Sequence, residues 1–390
     1  MDKAAIPSLD ELAKKMAQDL EAAETRLCTA MNDVDVSAAF AAYAITRICG
    51  MAKEGPDEHS RPAPAAVELA AWTLFPEFGR GMIRAADRIQ AVVDALEAYQ
   101  AAFNFTEIFP VNNTEKHDHL AAHLRLHSGI VRGSAYPIQV VRLIEGVLRP
   151  FEFELEAIAG LGPWSACEIV KSIGAQLEEN INGMRDAYYK TFRRAQALAH
   201  NRKNLSDAEL AHVQELRDEL NHVAAGLDGG WVPTWPQICA RLPEVSRKHW
   251  DALRGTIGLT PSSRAALTKI VDVQDRPIFF LDEERGFYVH GTACFDAVFN
   301  FFDDLARCTP ALRDRYGLRV AEWMEEQIKR HMLRLFPASA VLRNACFVDP
   351  DSPNGETEAD VMFSGVHFSL SSKLKEGELR AKQCEETAPS

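Results

Sequence analysis

From Leu9 to Met31 apolar residues recur at three- and four-residue steps, through Leu12, Met16, Leu20, Ala23 and Leu27. That period predicts an amphipathic helix. Ser8 with Glu11 three positions on fits a capping box at its start. The same spacing predicts helices over 35–52, 65–75, 81–102, 117–126, 135–148, 168–200 and 207–222. Gly55-Pro56 and Arg61-Pro62-Ala63-Pro64 mark a loop, and 105–113 reads as another. No repeat of fixed period is evident, which excludes a regular solenoid.

The texture changes near residue 270. Pro277–Leu281 and Gly286–Val289 flank Asp282-Glu283-Glu284-Arg285, the pattern of a β-hairpin. Helices are predicted over 293–307 and 318–336, then strands over 341–348, 359–363 and 366–373, with Ser364-Gly365 as a tight turn. Residues 374–386 read as a short charged helix. The predicted organisation is a helical region over 1–150, a second helical region with long helices over 151–260, and an α/β domain over 265–390.

Charge and composition narrow the classes. The 390 residues carry 43 Lys and Arg against 56 Asp and Glu, a net charge of −13, with 47% hydrophobic residues. This is a globular composition, not a disordered one, and its acidity argues against a protein that coats nucleic acid with its whole surface. None of the eight cysteines forms a C-x-x-C pair, so no zinc ribbon or thioredoxin-like motif is present. No stretch approaches the length of a membrane span, and the start lacks the apolar core of a secretory signal. These features predict a cytoplasmic chain with reduced thiols and no membrane partner.

The carboxyl-terminal order of helix and three strands carries charged residues at suggestive places: Glu322 in the helix, Glu358 and Asp360 in the second strand, and Lys373 at the end of the third. This arrangement resembles the PD-(D/E)XK nuclease superfamily. The resemblance covers about the last third of the chain. It implies a mostly α amino-terminal region followed by an incomplete α/β restriction-endonuclease-like domain. It also implies Mg²⁺ as cofactor, DNA as partner, and phosphodiester hydrolysis as the reaction. Glu322 and Asp360 would be metal ligands, with Glu358 as a further carboxylate and Lys373 orienting the attacking water. Glu325 and Glu326 are rivals of Glu322. The chemistry suits these residue types, because carboxylates hold Mg²⁺ and acidify its water while an ammonium neutralises phosphate charge.

Two departures bear on activity. The family pattern has an acid two residues before the lysine, where this chain has Ser371. A neutral hydroxyl there removes a full negative charge from the metal site, which predicts weakened or lost cleavage. The family core also continues past the third strand with a helix and a strand, whereas 17 residues follow Lys373. The expectation is a shortened or frameshifted chain, with the third strand left as an edge unless a partner completes the sheet. The alternative function is that of a non-catalytic helical interaction protein carrying a decayed nuclease-like domain. Residues 311–343 hold seven Lys and Arg against four acids, a local basic patch suited to phosphate or simply to solvent.

Other patterns have plainer readings beside the functional ones. Gly160-Leu161-Gly162-Pro163-Trp164-Ser165 resembles a helix-hairpin-helix DNA-binding turn, in which helix amides meet a phosphate. It also reads as an ordinary interhelix turn, and Glu152, Glu154 and Glu156 before it oppose DNA. His119, His123 and His127 repeat at four-residue spacing near His117, either a metal-binding face or a polar one. Arg193-Arg194 and His200–Lys203 complement a helix end. Trp231, Trp235 and Trp250 read as anchors of a loop.

Overall fold

A computed structural model describes residues 9–49, 63–79, 81–108, 137–199, 211–216, 229–261, 275–335, 341–348, 356–364, 369–375 and 378–384, the last four segments as strand backbones. The chain divides into two compact units, Met1–Arg142 with Glu152–Phe301, and Leu143–Phe151 with Phe302–Ser390. The domain boundary read between 260 and 265 lies inside the first of them.

The first unit is helical. It opens with α1 (Leu9–Ala30), α2 (Val36–Cys49), α3 (Ala63–Leu74) and α4 (Ala86–Ile108). Helix α4 runs into the stretch expected to be a loop, because nothing between Ala101 and Ile108 breaks a helix before Pro110. Chain order continues with α5 (Pro137–Leu143), α6 (Glu152–Ala159), α7 (Pro163–Ala199), α8 (Trp235–Arg241) and α9 (Arg247–Thr256). A small mixed sheet completes the unit: β1 (Gly258–Leu259) pairs parallel with β2 (Ile278–Phe280), which pairs antiparallel with β3 (Gly286–Tyr288). The hairpin read from sequence is therefore present.

Aromatic side chains tie this sheet to the helices. Phe40 of α2 lies edge-on to Phe75 at 5.3 Å and to Phe279 of β2 at 5.7 Å between ring centroids. Trp231 meets Phe287 of β3 at 4.8 Å. Edge-to-face contacts of this kind add to the area that the rings bury. Trp231, read as a loop anchor, fills that role.

Helix α10 (Gly291–Cys308) crosses the division between the units at Phe301 and Phe302. The second unit holds a wide π-helical turn at Ile144–Leu148, a short 3₁₀ turn at Arg149–Phe151, and α11 (Pro310–Leu335). Its four-stranded sheet is an antiparallel meander in the order β4 (Val341–Val348), β5 (Glu356–Ser364), β6 (Ser369–Lys375), β7 (Glu378–Cys384). Helix α11 packs against β4 and β5.

Strand β7 corrects the expectation of a short charged helix and an unprotected third strand. It pairs with β6 from Ser369↔Cys384 to Lys375↔Glu378. An isolated charged helix of that length is marginal in water. The unpaired amides and carbonyls along β6 offer the same residues a complete ladder instead.

Candidate nuclease-like site

Glu322 sits on α11, and its neighbours fix the rotation of that helix. One turn before it, the Arg319 Nε–H donates to the Gly146 carbonyl at 2.8 Å. Trp323 lies so close over Gly146 that a Cβ there would fall 1.9 Å from its indole nitrogen. Tyr316 donates to Asp303 at 2.5 Å and stands edge-on to Phe151 at 5.9 Å. These contacts leave the Glu322 carboxylate half exposed, 3.6 Å from Arg319 Nη1. Its rival Glu326 is engaged with Arg330 at 3.1 Å.

Asp360 and Glu358 lie on β5, and Lys373 lies on β6. The register pairs Val361 with Ser372, so Asp360 and Lys373 are the next positions outward on facing strands. Opposed positions in an antiparallel pair share a face, as do positions two apart along a strand. Asp360, Glu358, Lys373 and Ser371 are thus assigned to one face of the sheet. On that face Ser371 is opposite Met362, and Glu358 is opposite Cys346.

This donor set does not complete a Mg²⁺ site. The cation prefers an octahedron of oxygens with carboxylates supplying the charge. Across from β5, at the position where a second strand would add its acid, β6 has the neutral hydroxyl of Ser371. Glu358 adds a carboxylate from the same strand as Asp360, two residues away, not from across the strand pair.

The Gly160–Ser165 turn has the geometry of an anion seat, and the anion is internal. Gly160 takes a left-handed conformation with φ of +75° that its lack of a Cβ makes easy. The Glu152 carboxylate accepts the Trp164 amide at 2.7 Å and the Ser165 amide at 3.0 Å. It also accepts the Ser165 hydroxyl at 2.8 Å. A Cβ at Gly162 would lie 2.2 Å from Glu152 Oε1, so the glycine is what lets the carboxylate approach. The donors that a DNA phosphate would need are taken. Glu156 on the same helix lies 3.1 Å from His249 Nε2 of α9.

The histidines at 117, 119, 123 and 127 lie outside the described residues. Sequence reading missed both the Glu152 cap and a set of charged residues around Asp35, Arg84, Arg254 and Asp282. The cap had a signal, an acid in a short helix preceding a Gly-x-Gly-Pro turn. The others are scattered along the chain and share no motif.

No helix of the described residues is long and apolar enough to cross a membrane. No protein-family model, curated protein or solved structure matches the chain.

Proposed function

We propose that this chain is a cytoplasmic relative of Mg²⁺-dependent DNA nucleases, with the family's restriction-endonuclease-like domain at its carboxyl terminus and its own cleavage activity weakened or lost. The observation that carries this reading is the register of β5 and β6, which puts Asp360 and Lys373 one position beyond the paired Val361 and Ser372 on facing strands, downstream of the helix bearing Glu322. Ser371 is the reason for the weakened activity, since it leaves the cation one carboxylate short. The deciding experiment restores the acid: Ser371→Glu in the full chain is expected to create or raise Mg²⁺-dependent DNA cleavage that EDTA abolishes. Equal, EDTA-insensitive behaviour of both proteins would end the enzymatic reading.

The second reading is a non-catalytic interaction protein whose helical unit does the work. It is favoured by Glu152, which occupies the turn at Gly160–Ser165 that is patterned for phosphate.

A further inference from the structure

Segments 35–37, 78–79, 81–84, 254–261 and 281–285 of the first unit supply residues to an open cleft of about 790 Å³. That volume is in the range of small-molecule sites. Among the described residues three guanidinium groups line it, and their surroundings differ.

Arg84 is committed to Asp35, with Nε and Nη2 each 2.8 Å from Oδ2. Arg285 is committed to Asp282, with Nε 2.7 Å from Oδ2. Arg254 is less well compensated. Its Nη1 is 3.3 Å from Asp251, a half-exposed carboxylate that also serves Arg247 at 3.2 Å. Its Nε is sealed from solvent with no hydrogen-bond partner among the described residues. The Phe280 ring, 5.7 Å away, backs the guanidinium with a π-face. Nε itself is closed to a ligand, so the capacity for an oxyanion lies in the partly exposed guanidinium end, which lines the cleft and is held by one long, shared contact.

The lining also limits the ligand. Among the described lining residues Asp35, Asp282 and Glu283 balance the three arginines. That disfavours a polyanion such as a nucleic-acid backbone and leaves room for one anionic group. Phe78, Leu281 and Met82 supply an apolar wall, with Met82 91% exposed.

We propose that this cleft binds a small organic anion, with its phosphate or carboxylate held by Arg254 and its apolar body against Phe78, Met82 and Leu281. The site is independent of the nuclease-like face and would stand if that reading fell.

The test is calorimetric titration of the full-length protein with adenosine monophosphate, 3-phenylpropionate and inorganic phosphate. Saturable binding of at least one organic anion is expected, about tenfold or more tighter than inorganic phosphate, because the apolar wall contributes only to the former. The nucleotide and the carboxylate arms tell which head group is preferred. Arg254→Met should weaken that binding about tenfold or more, the usual cost of losing a charged hydrogen bond. Met82→Glu, at an exposed position, should weaken it comparably by repulsion with the fold intact, and it decides the matter if Arg254→Met does not fold. The proposal is overturned if neither organic anion binds saturably. It is equally overturned if inorganic phosphate binds as tightly as they do, or if folded Arg254→Met or folded Met82→Glu binds with unchanged affinity.

Discussion

Glu152 holds Ser165 through a single oxygen: Oε1 accepts both its amide at 3.0 Å and its hydroxyl at 2.8 Å. The carboxylate thereby closes the amino end of α7, a 37-residue helix, from a residue twelve positions before Trp164. A negative group at that place satisfies orphan amides and complements the helix dipole.

Replacing Glu152 by Ala should therefore destabilise the protein by about 1–2 kcal/mol, the range for losing an amino-terminal cap. Gly162→Ala should do at least as much, because its new Cβ would collide with the same carboxylate. Thermal unfolding of the two variants and of the double variant checks this. The losses should be less than additive, since both changes remove one contact.

The acid limb of stability should depend on Asp35 and Asp282. Burial pushes the Asp35 carboxyl up, but hydrogen bonds from Ser37 and the Ala38 amide, with Arg84, outweigh it and hold the group below its usual range. For Asp282, burial is likewise outweighed by Arg285 and the Glu284 and Arg285 amides. A carboxyl lowered in the folded state contributes stability that is fully present above its unfolded value, near pH 4, and is lost as pH falls through the folded value. Asp35→Asn keeps a capping side chain but loses the Arg84 pair, so it should cost about 1 kcal/mol at pH 7 and progressively less toward pH 3. Chemical denaturation across pH is the measurement. A constant difference would refute the linkage.

Much of the helical architecture was legible because it rests on a local period. The ends of α1, α2 and α10 fall close to where apolar spacing and punctuation put them. The π turn at Ile144–Leu148 was not legible, since Gly146 accommodates Trp323 from a helix more than 170 residues later in the chain, a demand no local pattern records. Strand β7 was missed for a related reason: its residues are charged and helix-compatible, and the edge of β6 supplies the partner that decides their state. On the face shared by β5 and β6 the residue types were readable one by one. The opposition of Ser371 to Met362, and the place of Asp360 and Lys373 next to the paired Val361 and Ser372, are properties of register.

Gly146→Ala tests that long-range fit. With the new methyl aimed at the Trp323 indole, either the ring or α11 must shift, and overpacking of this sort costs about 1–3 kcal/mol. A lower melting temperature is expected, with a change in tryptophan emission that the same substitution at Gly183, where a Cβ meets nothing within 4 Å, would not produce.

Thiol reactivity should separate the cysteines by burial. Desolvation pushes Cys167 up to about 12, against a smaller opposing pull from Lys171, and it pushes the fully buried Cys294 well above its ordinary value. Only the thiolate reacts. Alkylation of the native protein at pH 8 should label the exposed Cys28 and Cys308 and spare Cys167 and Cys294 until the chain unfolds, as peptide mapping by mass spectrometry would read.

Metal linkage gives a test of the nuclease-like face that does not depend on choosing a DNA substrate. A ligand that binds only the folded state stabilises it according to its concentration over its dissociation constant, by about 2.7 kcal/mol at a hundredfold excess. With Ser371 in place of an acid, millimolar Mg²⁺ and its removal by EDTA should leave the melting temperature of the natural protein unchanged. In Ser371→Glu the restored carboxylate joins Asp360, and Mg²⁺ should raise the melting temperature by several degrees. Adding Asp360→Asn to that variant should abolish the rise, because the cation then loses the strand β5 acid on which the arrangement depends. Mg²⁺-dependent stabilisation that survives Asp360→Asn would locate the metal elsewhere in the protein and remove Asp360 from the proposed site.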